Sequence, residues 1–458
     1  MDTKQRADMP LKISSCKHYF QYEDGSPFFW LADVAWMLFN KLKREEARQL
    51  FADRAAKGFN IIQTTMFRDL FSPNTPNAYG VRPFLSEADM YSARLNPDWM
   101  VYVREVTNLA AEHGLKLALL PTWGDKWNEC SNSAGPVIFD TCECAHRFGR
   151  EVSDALGDCA NIIWIMGGDS DVQCQQHANV IRAMAEGIRS GAGGERLIGF
   201  HPAPRSAEVF HGEAWLDFNS IQPGHSTLDI PAHFHIAHLR DLPLVKPCVT
   251  IEPNFEGMDL GMLRQSPHQL PATPTFNDYD VRKAYYRTTL AGAAGFSYGH
   301  ESIRQIYRNG DRRHRPFSGD LATWDQALSA PAASQMKLLA EQLLSRDYFS
   351  RIPAQDAFKF EGVELLSLFH KDKAPLNSDY FCPDASAARC SAGSYLMVYT
   401  PVRQVLQLDT SLLSGRRLRV SIFNPETGEM TGSYEIENTG IHRVVPERNL
   451  DTFLVLES

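Results

Sequence analysis

The sequence lacks the features that mark membrane-spanning, exported and nucleic-acid-binding proteins. No stretch approaches the roughly 18 apolar residues that a membrane span needs, and the opening MDTKQRADMPLKI has no apolar signal-peptide core. Runs rich in Lys and Arg are missing, and the formal net charge of -9 disfavours a nucleic-acid partner. We therefore expect a cytoplasmic protein that binds neither membranes nor nucleic acids.

Cysteine is present, but its spacing matches neither a disulfide scaffold nor a zinc knuckle. The chain has nine cysteines, an odd number, and Cys142 and Cys144 are too close together for the usual zinc pattern. This usage fits a reducing compartment. The motif H-E-x-x-H is also missing, so the sequence gives no support for a metalloprotease-type zinc site.

Apolar strand-like runs alternate with amphipathic helical stretches over the first three quarters of the chain. The stretch from Pro97 to Gly114, for example, opens with proline and closes with glycine, as helices commonly do. Eight strand–helix repeats in order are the count of a (β/α)8 TIM barrel. The predicted strands are Phe28–Val34, Phe59–Phe67, Leu115–Trp123, Ile162–Met166, Arg196–Pro202, Asp217–His225, Lys246–Glu252 and Phe296–Ile303.

The pattern changes after about Ser345, where helical periodicity gives way to short strands separated by turn signals such as NPETGE. This spacing is typical of a small antiparallel β-sandwich. We predict a barrel domain over residues 1–345 and an accessory sandwich over residues 346–458. The sandwich strands are predicted at Glu364–His370, Ser394–Thr400, Arg417–Phe423 and Phe453–Leu456.

Two carboxylates stand out because each follows a strand predicted to be buried. Asp169 comes after the run Ile162–Met166 and two glycines, and Glu252 ends the stretch CVTIE. Barrel enzymes keep their chemistry at the carboxyl ends of the strands. Two carboxylates on separate strands are the minimum for glycoside hydrolysis, although a helix cap at Asp169 and a structural ion pair at Glu252 are equally open alternatives.

Aromatic and polar residues follow most of the other strands, as a sugar-binding cleft requires. Trp127, flanked by Lys126 and Asn128, is expected to form an open platform, whereas Trp36 opens the apolar run AWMLF and fits the core equally well. We predict an oligosaccharide or glycoside substrate. The predicted substrate-binding residues are Asp33, Trp36, Trp123, Asp125, Trp127, His201, Gln222, His225 and His300.

Two other functions use the same residues. A metal-dependent hydrolase would gather His201, His225, His300 and an aspartate around an ion, although no H-x-H lies on a predicted strand. A sugar-binding protein on a barrel scaffold would need the cleft without the catalytic pair. We predict no metal and no cofactor, and the sequence does not indicate an oligomeric state.

Taken together, several motifs resemble the apiosidase-like glycoside hydrolase family: FFWLADVAWMLF, LLPTWGDKW, NIIWIMGGDSD, GFHP, WLDFNSIQPGH, KPCVTIEPNFEG and DYDVRKAYYRTTLAGAAGFSYGHESI. The resemblance implies a barrel glycosidase with a catalytic Asp after the fourth strand and a catalytic Glu after the seventh, which correspond to Asp169 and Glu252. Analogy with other barrel glycosidases makes Asp169 the general acid/base and Glu252 the nucleophile or base. The end of the chain resembles the collagen-binding β-sandwich domain that usually follows this barrel.

Overall fold

The computed structural model describes residues 2–67, 72–128, 135–202, 207–225, 232–260, 275–311, 321–360 and 385–458. The predicted strand Glu364–His370 lies outside these residues. Within these ranges, no helix combines the length and the apolar character that a membrane crossing requires.

A ring of eight parallel strands forms the larger part of the molecule, preceded by a three-stranded antiparallel sheet of β1 (Leu11–Ile13), β2 (Phe20–Tyr22) and β3 (Pro27–Phe28). In the parallel sheet the order is β8-β7-β6-β5-β4-β11-β10-β9, so strands adjacent in sequence are adjacent in space. This order confirms the predicted barrel. Its strands are β4 (Trp30–Val34), β5 (Ile61–Thr65), β6 (Lys116–Leu120), β7 (Ile162–Gly167), β8 (Ile198–His201), β9 (Asn219–Ile221), β10 (Cys248–Thr250) and β11 (Gly295–Tyr298).

Side chains help to close the ring between β8 and β9. The backbone N–H of Asp217 donates to the carbonyl of Ile198 at 2.9 Å, and the Asp217 carboxylate accepts the N–H of Ile198 at 2.6 Å. Farther along, the Ser220 hydroxyl donates to the carbonyl of Phe200. These bonds satisfy backbone groups where regular strand pairing is missing.

The helices begin and end at residues that suit helix termini. Pro97 occupies the first turn of its helix, and Asn96 caps it by accepting the N–H of Asp98 at 3.0 Å. Thr141 and Asn277 cap two further helices in the same way. The α-helices are Thr3–Asp8, Leu38–Lys41, Arg44–Ala56, Glu87–Tyr91, Pro97–Glu112, Cys142–Ala155, Gln175–Ser190, Ala232–Asp241, Asp278–Leu290, Glu301–Arg304, Pro331–Gln335 and Lys337–Leu344.

A chain of hydrogen bonds crosses the interior of the barrel. The indole N–H of Trp30 donates to Ser297 Oγ at 3.1 Å, and that hydroxyl donates to Gln63 Oε1 at 2.9 Å. Gln63 Nε2 in turn donates to the carbonyl of Ile251 at 3.1 Å. Because buried polar groups are costly unless paired, this chain fixes the backbone immediately before Glu252.

The C-terminal part folds as a small β domain, as predicted. A six-stranded antiparallel sheet has the order β12-β14-β15-β20-β17-β18, and a second sheet has the order β13-β16-β19. Leu396, Val420 and Leu454 belong to the apolar cluster of this domain. Its strands are β12 (Arg351–Pro353), β13 (Phe358–Phe360), β14 (Ser386–Cys390), β15 (Tyr395–Thr400), β16 (Leu406–Asp409), β17 (Arg417–Phe423), β18 (Met430–Glu437), β19 (Ile441–Val444) and β20 (Thr452–Glu457).

The β domain packs tightly against the barrel helix Asp278–Leu290. The ring of Tyr286 stacks on Tyr399 with centroids 4.5 Å apart. Beside this stack, Arg282 donates to both carboxylate oxygens of Asp451, at 2.6 and 3.1 Å, and Asp451 is fully buried. The interface therefore combines aromatic packing with a buried bidentate ion pair.

Candidate active site

The turn after β7 has an unusual backbone conformation. Gly167, Gly168 and Asp169 have φ values of +87°, +117° and +48°, and residues other than glycine rarely adopt the last of these. Glycine is required at Gly168, because a Cβ there would lie 2.9 Å from the Trp123 ring and 3.0 Å from the backbone nitrogen of Gly124. The turn therefore lies directly against the loop after β6, and a non-glycine residue with positive φ at this edge marks a functional candidate.

Asp169 is half-buried and contacts residues at the carboxyl ends of β8 and β9. Its Oδ1 accepts a hydrogen bond from Gln222 Nε2 at 3.0 Å. Its backbone N–H donates to His201 Nδ1 at 3.4 Å. The structure thus joins three of the predicted site residues, since His201 and Gln222 lie 32 and 53 positions from Asp169 in the sequence.

Glu252 is the most strongly bound carboxylate of the group. It follows β10, is only 7% exposed, and has a histidine Nε2 on each oxygen: His201 at 2.9 Å from Oε2 and His225 at 3.2 Å from Oε1. Burial by itself raises the pKa of Glu252, but the hydrogen bonds from the two imidazoles outweigh burial and hold the pKa well below its ordinary value. Glu252 is therefore a carboxylate anion at neutral pH.

Two tryptophans form the wall behind this pair. The His201 ring lies 5.4 Å from the Trp36 ring and 5.5 Å from the Trp123 ring, and the two indoles contact each other edge to face at 4.8 Å. Each indole is 1% exposed. Their position is next to the catalytic candidates, and their contact with a sugar remains a prediction.

The loop after β6 differs from the expected open platform. Trp127 is only 4% exposed and its ring lies 5.6 Å from that of His177, so it is packed among apolar residues of the barrel and helices. Asp125 is 6% exposed and is paired with Lys126. The loop folds back onto the barrel because Gly124 N donates to the Gly168 carbonyl at 2.9 Å.

Asp33 and His300 are not in the hydrogen-bonded group around Glu252. Asp33 is fully buried, pairs in register with Ile62, and accepts a hydrogen bond from Arg54 Nε on the neighbouring helix. Alternation along β4 therefore directs Asp33 out of the barrel. His300 caps the short helix Glu301–Arg304, since its Nδ1 accepts the N–H of Ser302 at 3.0 Å.

Sequence reasoning missed two neighbours of the pair. The ring of Phe255 lies 4.9 Å from that of His225. Arg304, 6% exposed, donates to Glu301 at 2.8 and 2.7 Å, and its positive charge also interacts with Glu252 and Asp169. Phe255 lies in the quoted motif KPCVTIEPNFEG and Arg304 follows GHESI, but no spacing distinguishes either residue from a core side chain.

The histidines of the metal hypothesis are engaged in hydrogen bonds. His201 and His225 direct Nε2 at Glu252, and His300 uses Nδ1 as a helix cap. In the described ranges of the chain, no group of three or more His, Cys, Asp and Glu side chains is arranged to hold a metal ion. The catalytic role of the carboxylate pair stays a prediction.

Comparison with family models gives two matches that divide the chain. Residues 14–350 match the model described as "Apiosidase-like, catalytic domain". Residues 382–457 match the model described as "Putative collagen-binding domain of a collagenase". A comparison with curated proteins gave no match.

Solved structures resemble the chain over nearly its whole length. One named "Glycoside hydrolase" is 25% identical with a TM-score of 0.81, and the alignment covers 99% of this chain and 97% of that one. A glycoside hydrolase family 5 structure from Bacteroides vulgatus ATCC 8482 is 24% identical with a TM-score of 0.82, covering 100% and 95%. Together with the match of the catalytic-domain model to residues 14–350, these findings show that the chain is a glycoside hydrolase and belongs to the apiosidase-like family.

Proposed function

We propose that this glycosidase acts on a plant or microbial oligosaccharide with Asp169 as general acid/base and Glu252 as nucleophile or base. The observation that carries the assignment is the pair of imidazoles on Glu252, which keep its carboxylate charged despite burial. A nucleophile or base must be deprotonated when substrate arrives. Asp169 is the second carboxylate of the hydrogen-bonded group.

The proposed chemistry divides the two tasks between the two carboxylates. Asp169 donates a proton to the glycosidic oxygen as the bond to the leaving group breaks. Glu252 either attacks the anomeric carbon or takes a proton from a water molecule that does so. In both cases the positive charge that develops on the sugar ring is stabilised by the anionic Glu252, and the stereochemical outcome decides between them.

Several observations support a sugar ligand of neutral or mildly polar character. The matching family model is described as apiosidase-like, so apiose is the first sugar to test, followed by other furanosides and pyranosides. Trp36 and Trp123 pack against His201 behind the carboxylates and are each 1% exposed, so a contact between their rings and a sugar stays a prediction. A cytoplasmic location stays part of the proposal, supported by free thiols at Cys142 and Cys174 on the surface.

A screen of aryl glycosides and of pectic and glycan oligosaccharides tests the proposal. On any cleaved substrate whose leaving group needs protonation, Asp169→Asn and Glu252→Gln should each reduce kcat by about 1,000-fold or more while both variants remain folded. Asp171→Asn is the matched control, because this exposed carboxylate lies two residues from Asp169. It should keep kcat within about threefold.

Three results would contradict the proposal. Near-normal turnover of such a substrate by either catalytic variant would show that the residue is not required for chemistry. An equal loss of kcat in Asp171→Asn would show that the loss comes from a disturbed turn and not from the missing carboxylate of Asp169. Binding of an oligosaccharide by calorimetry, with no product released from any substrate in the screen, would favour the sugar-binding alternative.

A further inference from the structure

We infer that His201 is a positioning residue that couples the two catalytic carboxylates and does not itself bind the sugar. This inference rests on the proposed roles of Asp169 and Glu252. It changes the predicted role of His201, which the sequence indicates as a substrate ligand. The role follows from the contacts of the two ring nitrogens and of the backbone carbonyl of this residue.

His201 holds the turn that carries Asp169 at two successive backbone groups. The N–H of Gly168 donates to the carbonyl of His201 at 3.0 Å, and the N–H of Asp169 donates to His201 Nδ1 at 3.4 Å. This turn has three consecutive positive φ angles, so its conformation depends on such outside support. Loss of the imidazole would leave the N–H of Asp169 without this acceptor.

The same contacts define which ring nitrogen carries the hydrogen. Because a backbone N–H can only donate, Nδ1 of His201 accepts and is unprotonated. The hydrogen is then on Nε2, which donates to Glu252 Oε2 at 2.9 Å. One imidazole thus orients the backbone of the proposed acid and donates a hydrogen bond to the proposed nucleophile.

The ring of His201 is closed off from the substrate. The residue is 0% exposed, and its ring packs against Trp36 and Trp123 at 5.4 and 5.5 Å. Its two nitrogens are engaged by protein groups. A sugar in the cleft would therefore contact the carboxylates but not this imidazole.

Other charged groups also face Glu252 and enter the expected pH dependence. His225 donates to Oε1 from the loop after β9, and Arg304 acts through its charge from the short helix after β11. Asp169 is the nearby negative charge after β7. His201 differs from these groups because it contacts both Glu252 and the turn of Asp169.

Two amide substitutions separate the two contacts. In His201→Gln the side-chain amide reaches the position of Nε2 and can donate to Glu252, but the acceptor for the N–H of Asp169 is lost. In His201→Asn the amide occupies the position of Nδ1 and can accept that N–H, but it does not reach Glu252. Wild type and both variants are compared by kcat, KM, the pH profile of kcat/KM and the melting temperature.

The two variants should change different quantities. His201→Asn should raise the pKa on the acid limb of kcat/KM by about one unit, because Glu252 loses one of its two imidazole donors. His201→Gln should leave that limb within about 0.3 units and lower kcat by roughly tenfold or more through the loosened turn of Asp169. KM should change less than threefold in both. His225→Asn is the comparison variant, since it also removes a hydrogen-bond donor from Glu252 but leaves the turn of Asp169 unchanged. The pKa on the acid limb of its kcat/KM profile should therefore rise as well.

The inference is overturned if KM rises more than tenfold with kcat intact, which would make His201 a substrate ligand. It is also overturned if His201→Asn leaves the pKa on the acid limb of kcat/KM unchanged while Glu252→Gln is inactive. Activity retained by Glu252→Gln would instead refute the carboxylate assignment itself. Should both His201 variants fail to fold, the ¹⁵N shifts of the wild-type imidazole decide: Nε2 protonated and Nδ1 bare supports the inference, and the reverse tautomer refutes it.

Discussion

The buried ion pair between Arg282 and Asp451 should bind the β domain to the barrel, and the shape-preserving substitution Asp451→Asn tests this. The change removes the negative charge that pairs with the guanidinium of Arg282. The Arg282 side chain is only 2% exposed. Removing one partner of a buried pair costs about 3–5 kcal/mol, because the other charge is left uncompensated. Asp278 lies 3.2 Å from the same guanidinium and retains part of the compensation, so we expect about 3 kcal/mol.

Urea unfolding and thermal melting measure this loss. A loss of about 3 kcal/mol should lower the melting temperature by roughly 6 °C or less in a chain of this size. The double variant Arg282→Met with Asp451→Asn should be more stable than the sum of the single effects predicts, since both charges of the Arg282–Asp451 pair are removed together. Glu426→Gln, which breaks the exposed pair with Arg448 in the same domain, is the control and should cost less than about 1 kcal/mol.

Two outcomes would refute the reasoning. A cost below about 1 kcal/mol for Asp451→Asn would show that the pair does not stabilise the interface. A loss of kcat at unchanged stability would show that the β domain acts on the active site rather than on folding.

Further predictions concern pH, the aromatic wall, metal ions and the domain boundary. Burial, with the charge of Arg54, lowers the pKa of His300 to about 3, so the folded state binds fewer protons than the unfolded state between pH 3 and 6.5. The free energy of unfolding should therefore fall as pH drops through this window, by at most about 1.4 kcal/mol per pH unit. His300→Asn keeps a helix cap and should make the free energy of unfolding, measured in urea, depend less on pH. Trp36→Ala should lower the free energy of unfolding by about 3–5 kcal/mol; a smaller loss with a raised KM would identify a sugar contact instead. Exhaustive chelation should leave activity unchanged, whereas stoichiometric zinc or manganese lost together with activity would overturn the carboxylate mechanism. Truncation near Arg346 should cause aggregation or a lower melting temperature. A stable truncated barrel that loses only substrate binding would instead show that the β domain is part of the active site.

Strand periodicity was enough to predict the barrel and to place Asp169 and Glu252 at strand ends. An apolar run such as Ile162–Gly167 is buried on both faces of the sheet, so its pattern is readable without tertiary contacts. Whether a side chain near a strand end faces the cleft or the helices depends on alternation over single residues. Asp33 illustrates this. It lies one residue before Val34, the last residue of β4, and its carboxylate pairs with Arg54 outside the barrel.

Other features depend on contacts that the sequence does not encode locally. The burial of Trp127 follows from the loop after β6 folding onto Gly168, which composition alone does not predict. The two imidazoles on Glu252 come from the last residue of β8 and from the loop after β9, 51 and 27 residues away along the chain. Their convergence, and therefore the lowered pKa of Glu252, becomes visible only in three dimensions.

The most direct test of the carboxylate assignment is a leaving-group series of aryl glycosides of the sugar that the enzyme cleaves. Asp169→Asn should lose most activity on substrates with poor leaving groups but keep much of it when the leaving group needs no proton, as with dinitrophenol. Glu252→Gln should lose activity by about 1,000-fold or more across the whole series. The opposite pattern, or a uniform loss in Asp169→Asn with little loss in Glu252→Gln, would contradict the assigned roles.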